Sequence, residues 1–114
     1  MPARATASLP EAAGLAPVFA ALGDETRLRL VTRLCADGPL SIARLTSETN
    51  VTRQAVTKHL GILADAGLVR GSRQGRERRW EIEPDRLLEA RSHLARISEQ
   101  WDATLDRLRK FVET

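Results

Sequence analysis

The stretch Val51-Thr52-Arg53-Gln54-Ala55-Val56-Thr57-Lys58-His59-Leu60 decides how the rest of the chain is read. Thr52 is a favourable N-cap, because a threonine oxygen accepts from the free N–H groups of a helix's first turn. Val56, Leu60 and Leu63 then fall at i, i+4 and i+7, the spacing of one buried helical stripe. The opposite face carries Arg53, Gln54, Thr57 and Lys58, and Gly67 has the chemistry of a C′ stop. The spacing therefore predicts a helix over 52–66 with one apolar and one polar face.

Working toward the N-terminus, Ser41 can cap a shorter helix with Ile42 and Leu45 facing inward, broken by Glu48-Thr49-Asn50-Val51. Before it, Asp24 can cap a helix in which Leu28, Val31, Leu34 and Cys35 recur at helical spacing, ended by Asp37-Gly38-Pro39. Ala16–Leu22 reads as one more short helix, with Pro17 in its first turn and Gly23 at its end. Residues 1–14 contain Pro2, Pro10 and Gly14 and read as a flexible leader without the apolar stretch of a signal peptide.

Toward the C-terminus the period changes. Leu68-Val69-Arg70 and Arg79-Trp80-Glu81-Ile82 read as short strands joined through a tip at Gln74-Gly75. Pro84 or Asp85 opens a last helix. In it Leu87, Leu94, Ile97, Trp101, Leu105, Leu108 and Val112 follow spacings of seven, three and four. So long an apolar face exceeds what a small domain covers, and a second copy of the same helix is the simplest partner. The fold class is thus mainly α with a small β-hairpin: about five helices, with a β-wing between the fourth and fifth. The leader is 1–14, a winged helix-turn-helix domain covers 15–83, and a dimerisation helix covers 84–114.

Charge placement adds to this. The net charge is only +3. Residues 53–79, however, hold seven basic side chains against two acidic ones, Asp65 and Glu77. Such a concentration suits a polyanion, although a solvated charged face would look the same in isolation. The helix at Thr52 narrows the choice. Its first turn presents Arg53, which suits guanine O6/N7, and Gln54, which suits adenine N6/N7. Thr57 suits a thymine methyl or a phosphate, and Lys58 a phosphate. Arg73, Gln74, Arg76, Arg78 and Arg79 supply donors from the hairpin, of which strand alternation puts only some on any one side. Duplex DNA is the partner these features imply.

Four linked stretches now carry a resemblance: Leu22–Leu30, Val51–Leu60, Leu63–Val69 and the basic wing up to Trp80. Together they resemble the ArsR/SmtB family of bacterial winged-helix repressors, over roughly Val18 to Ile82. The single cysteine, which can form no internal disulfide, points to a cytoplasmic protein. The resemblance implies a homodimer held by the first and last helices, which binds an imperfect palindrome near its own promoter and represses transcription. It implies DNA contacts at Thr52, Arg53, Gln54, Thr57, Lys58 and His59 and in the wing. A dimer interface through Val18, Phe19, Leu94, Ile97, Trp101, Leu105 and Leu108 is expected alongside. The chain departs from the metal-sensing members. Ser41–Glu48 holds no thiol pair, and His93, near Asp85, has no second histidine three or four residues on. No metal, no cofactor and no membrane partner is expected, and a small-molecule inducer is left unknown.

Several single residues admit more than one role. Cys35, the one cysteine, reads as a small buried hydrophobe, with a redox-sensing thiol as the alternative. His59 either touches phosphate or packs at the helix–wing junction. His93 reads as a satisfied histidine, Trp101 as a dimer-core residue and Trp80 as wing-to-body packing. A winged helix used for protein contact would not need Gln54 and Thr57 on its exposed face. An enzyme would need a nucleophile–base pair, a pair of carboxylates or a phosphate loop, none of which is visible.

Overall fold

The computed structural model describes residues 14–113. Five helices and a three-stranded antiparallel sheet make up the described chain. Helix α1 covers residues 14–22, α2 Glu25–Asp37, α3 Ile42–Ser47, α4 Arg53–Asp65 and α5 Pro84–Glu113. Strands β1 (Leu40–Ser41), β2 (Val69–Gln74) and β3 (Glu77–Ile82) lie in the order β1-β3-β2. Gly14, grouped with the leader on sequence, belongs to α1, and the rest of that leader lies outside the described residues.

The helix starts follow from side-chain capping. Asp24 accepts from the Arg27 N–H at 3.0 Å, Ser41 from Arg44 at 3.2 Å and Thr52 from Ala55 at 3.1 Å. Each satisfies one of the donors that a helix leaves open in its first turn. The stop of α4 is a Schellman motif. The Leu68 N–H donates to the Leu63 carbonyl at 3.0 Å and the Gly67 N–H to the Ala64 carbonyl at 2.9 Å. Gly67 makes this possible at φ 80°, and Leu63 and Leu68, the accompanying apolar pair, are both fully buried.

One core gathers these elements. Leu15, Val18, Leu30, Val31, Leu34, Leu45, Val56, Leu60, Leu63, Leu68, Val69 and Trp80 are all buried in it, and no polar or charged residue is buried among the described residues. The stripe Val56–Leu60–Leu63 is the face of α4 that docks on it. The buried face of α2 is Leu30, Val31 and Leu34, which corrects the sequence reading. Leu28 and Cys35 are exposed, because at 100° per residue each lies about a quarter turn or more from the centre of that face. Cys35 is therefore a surface thiol and not a core hydrophobe.

The wing is longer than expected. Its strands run six residues each and close through Gly75-Arg76, with glycine first at φ 64°, the residue order of a II′ hairpin turn. The tip is therefore one residue later than the Gln74-Gly75 expected. Strand β1 was not expected at all. It adds to the free edge of β3 through Leu40↔Trp80 and Ser41↔Arg79, tying the start of α3 to the wing. At the other end, the Glu83 N–H donates to the Leu68 carbonyl at 2.9 Å and closes the wing's base.

Candidate nucleic-acid interface

Helices α3 and α4 form a helix-turn-helix. The turn is pinned by the Thr49 N–H on the Thr46 carbonyl at 3.1 Å. It is steadied from outside by Arg33 of α2, which ion-pairs with both Asp37 and Glu48. That pairing raises the Arg33 pKa and, through the same hydrogen bond, holds the Glu48 carboxyl below the usual carboxylate range.

On α4, Arg53, Gln54, Thr57 and Lys58 are all exposed, as the helical wheel requires once Val56, Leu60 and Leu63 are buried. The Thr57 hydroxyl donates to the Arg53 carbonyl at 2.8 Å. Its proton is thereby committed, leaving its methyl group and oxygen lone pairs to face outward. Thr52 is exposed and occupied as the cap.

His59 sits apart from the other residues expected to face DNA. It lies more than a third of a turn round the helix from the centre of the Arg53–Lys58 face. Its ring is largely covered, with Nδ1 3.2 Å from an Arg27 guanidinium nitrogen and 3.9 Å from an Asp24 oxygen. The Asp24 carboxyl is held below its ordinary range, first by the backbone hydrogen bond from Arg27 and further by the charge of Arg27.

The hairpin register sorts the wing arginines. Arg70 pairs with Glu81, Ser72 with Arg79 and Gln74 with Glu77, so these six share one face; Gly71↔Trp80 and Arg73↔Arg78 share the other. The first face is balanced. Arg70 reaches Glu81 at 2.9 Å and Glu83 at 3.1 Å, and Arg79 reaches Glu77 at 3.4 Å. The hydrogen bond to Glu81 and the charge of Glu83 raise the Arg70 pKa. The second face carries cations alone. Arg78 lies over the Trp80 ring at 4.8 Å, a cation–π contact, and passes so close to Gly71 that a Cβ there would meet its Nε at 2.8 Å. Arg73 stands directly across from Arg78, an arrangement of like charges that disfavours the hairpin until an anion intervenes. Arg76 occupies the turn.

The two halves meet. Arg53 of α4, Arg76, Glu77 and Arg78 of the wing and Ser41, Ile42 and Ala43 at the start of α3 line one open groove. Lys58, Arg73 and Gln74 are exposed outside it.

A helix-turn-helix domain model matches residues 22–72, which span the pair of helices and the start of the wing's first strand. The chain is similar to the transcriptional regulator Rv2034 of Mycobacterium tuberculosis, 39% identical over 77 residues, or 68% of this chain and 71% of that one. It is 40% identical over 67 residues to the regulator YuzN of Bacillus subtilis, covering 54% of this chain and 73% of the relative. Among solved structures it superposes on an ArsR-like transcriptional regulator from Rhodococcus sp. RHA1 with a TM-score of 0.71. That match has 38% identity over 87% of this chain and 92% of the other.

The chain belongs to the ArsR family of winged helix-turn-helix transcriptional regulators.

As an ArsR-family regulator the protein is a DNA-binding regulator of transcription. The residues expected to join two copies are spread along α1 and α5. Phe19 is half-buried, its ring 6.2 Å from that of His93, so the pair joins α1 to α5 within the chain. Val18 departs from the expectation: it is 0% exposed and fills the chain's own core, leaving no surface for a partner. Ile97 is half-buried, while Leu94, Trp101, Leu105 and Leu108 are exposed, Trp101 to 61%. Phe111 was not expected in this set; it is exposed on the same side of α5. Among the described residues, no three His, Cys, Asp or Glu side chains are grouped as a metal ion would require, and no helix is long and apolar enough to cross a membrane.

Proposed function

We propose that the protein is a dimeric, sequence-specific transcriptional repressor that reads one half-site of an imperfect palindrome with each α4 and grips the flanking backbone with each wing. The observation that carries this reading is the shared groove: Arg53 of α4 lines the same space as Arg76 of the wing's turn and Arg78 of its cationic face, three cations against the single carboxylate of Glu77. Arg53 and Gln54 supply base contacts. Thr57 supplies an apolar or acceptor contact, and Thr52 and Lys58 reach phosphate. In the wing, Arg73 and Arg76 hold phosphate and Arg78 supports them from its seat on Trp80. Gln74 is at the end of its strand and within reach of the backbone. Arg79, already paired with Glu77, contributes least.

Dimerisation is supported by α5. Leu87 and Ala90 pack the first turns of the helix onto the core. The same stripe then continues through Leu94, Ile97, Trp101, Leu105 and Leu108 along a helix of 30 residues, about 45 Å at ~1.5 Å per residue. An apolar stripe that long is too large to leave in water on a small protein, and the α5 of a second copy covers it. Residues 15–83 are then the reading domain and 84–114 the dimerisation helix. Two such domains place their α4 helices on half-sites about 34–36 Å apart, or a multiple of that. Occupancy of a promoter by the dimer blocks transcription. Release follows a signal other than a metal at the family's sensor positions, since Ser41–Glu48 and the surroundings of His93 lack the ligand pairs.

The test is a footprint of the purified protein over the promoter upstream of its own gene. Two protected half-sites related by a dyad are expected. Absence of protection at every salt concentration would refute the proposal.

A further inference from the structure

We propose that Arg27 and His59 are positioning residues that fix the rotation of α4 about its own axis, and through it the aim of Arg53 and Gln54. This inference rests on the DNA-reading role of α4 proposed above. The contacts that hold α4 to the core, Val56, Leu60 and Leu63, are wholly aliphatic. Such packing is strong but non-directional, and it tolerates small turns and slides. A directional contact is needed to choose among them.

Arg27 supplies it from the first turn of α2. Its Nε donates to the Ala21 carbonyl at 2.7 Å, one of the oxygens left open at the end of α1. The other end of the same planar guanidinium lies 3.2 Å from His59 Nδ1. Arginine has donors only, so in this contact Nδ1 serves as the acceptor and the ring's proton sits on Nε2. One rigid fork thus spans α1 and α4, while the Arg27 N–H fixes the Asp24 cap beneath it. Asp24, 3.9 Å from Nδ1, is too distant to replace Arg27 as the ring's partner. The lever is short: a turn of about 10° in α4 moves side-chain atoms at a radius of ~6 Å by about 1 Å. Bidentate readout of a base edge does not survive an error of that size.

The role is separable from a direct phosphate contact by what each leaves untouched. A duplex would first be selected by the wild-type protein from a random pool. His59→Leu, His59→Asn and Arg27→Lys would then be compared on it and on random duplex, across a salt series, after checking that each variant keeps its helical signal. Asparagine retains an acceptor near the Nδ1 position; leucine does not. Lysine cannot reach Ala21 and His59 together. His59→Leu and Arg27→Lys are expected to lower the ratio of selected to random affinity by about tenfold. His59→Asn should keep it within about threefold, and the slope of log affinity against log salt should stay unchanged in all three. A slope shallower by about 0.9 in the His59 variants would make His59 a phosphate ligand and overturn the proposal. An unchanged ratio in His59→Leu, or an equal loss in His59→Asn, would overturn it as well. Long-range proton–nitrogen spectra of the wild-type protein at mildly alkaline pH give a second reading that needs no variant: the Nε2–H tautomer is expected, and Nδ1–H refutes the contact. If the pool yields no enriched sequence, the sequence-specific reading of α4 fails, and the tautomer still decides the Arg27–His59 contact.

Discussion

Replacing Arg73 and Arg76 together by alanine will flatten the salt dependence of DNA binding, and replacing Arg70 will leave it nearly unchanged. All three arginines belong to the wing and a residue count treats them alike. The hairpin register separates them. Arg70 lies on the balanced face and is held by Glu81 and Glu83 at 2.9 and 3.1 Å, so it has no charge to spare for a phosphate. Arg73 lies on the opposite face and Arg76 in the turn, and no ion pair engages either among the described residues. Each phosphate contact releases counterions and contributes about 0.9 to the slope of log affinity against log salt. Loss of both contacts removes about 1.8. Over a fourfold rise in salt, from about 50 to 200 mM, the wild-type protein should therefore lose about 12-fold more affinity per bound subunit than the double variant. The assay is fluorescence anisotropy of a labelled duplex titrated at five or so salt concentrations, on random sequence, so that base contacts do not intrude. A drop of about 0.9 in the slope for Arg70→Ala, or no drop for the double variant, would show that the assignment of faces is wrong.

In sedimentation the wild-type protein is expected to be a dimer, and Trp101→Asp combined with Leu105→Asp should leave the reading domain folded but monomeric; a double variant that is still dimeric would place the interface elsewhere. Leu60→Ala should destabilise by about 2–5 kcal/mol, since the residue is fully buried, and lower the thermal midpoint by ten degrees or more. Thr52→Ala removes the cap of α4 and should cost about 1 kcal/mol in denaturant unfolding, with DNA affinity falling further than that stability loss explains. Asp24 and Glu48 both have carboxyls held below their ordinary values of 3.8 and 4.5. A folded value below the unfolded one stabilises fully above the unfolded value, and that stabilisation is lost as pH falls through the folded one. The gap in urea midpoint between wild type and Asp24→Asn or Glu48→Gln should thus be open at neutral pH and close below about pH 4; a gap that widened on acidification would contradict the assigned partners.

Helix α4 could be read directly because each of its signals is local: a cap at Thr52, a stripe at Val56, Leu60 and Leu63, a glycine at 67. Helix α2 was harder, since two stripes compete in it. Leu28-Val31-Leu34-Cys35 and Leu30-Val31-Leu34 share two members, and only packing against α4 and β3 selects the second. Strand β1 has two residues and no period to detect; it exists because β3 has a free edge beside Leu40 and Ser41. The wing's length leaves no mark in the sequence because five of the six residues of β2 are exposed and polar or glycine, so no alternation marks the strand. Its two faces became distinguishable only once the register fixed Arg73 across from Arg78. The place of His59 depended on Arg27, 32 residues away, a pairing that no spacing along the chain announces.

The wing has a further consequence. Residues 71–78 are all exposed, so past Val69 and Trp80 no buried side chain anchors the hairpin, which is held by its backbone ladder, the seat of Arg78 on Trp80 and the Arg79–Glu77 pair. A two-stranded ribbon with so little covered surface is marginal in water. Ordering it on DNA then draws on binding free energy, at about 1 kcal/mol or more for each residue whose backbone becomes fixed. The distal wing contributes correspondingly little to folding. Substitutions there leave the core's burial intact, so DNA affinity and thermal stability are set by largely separate residues.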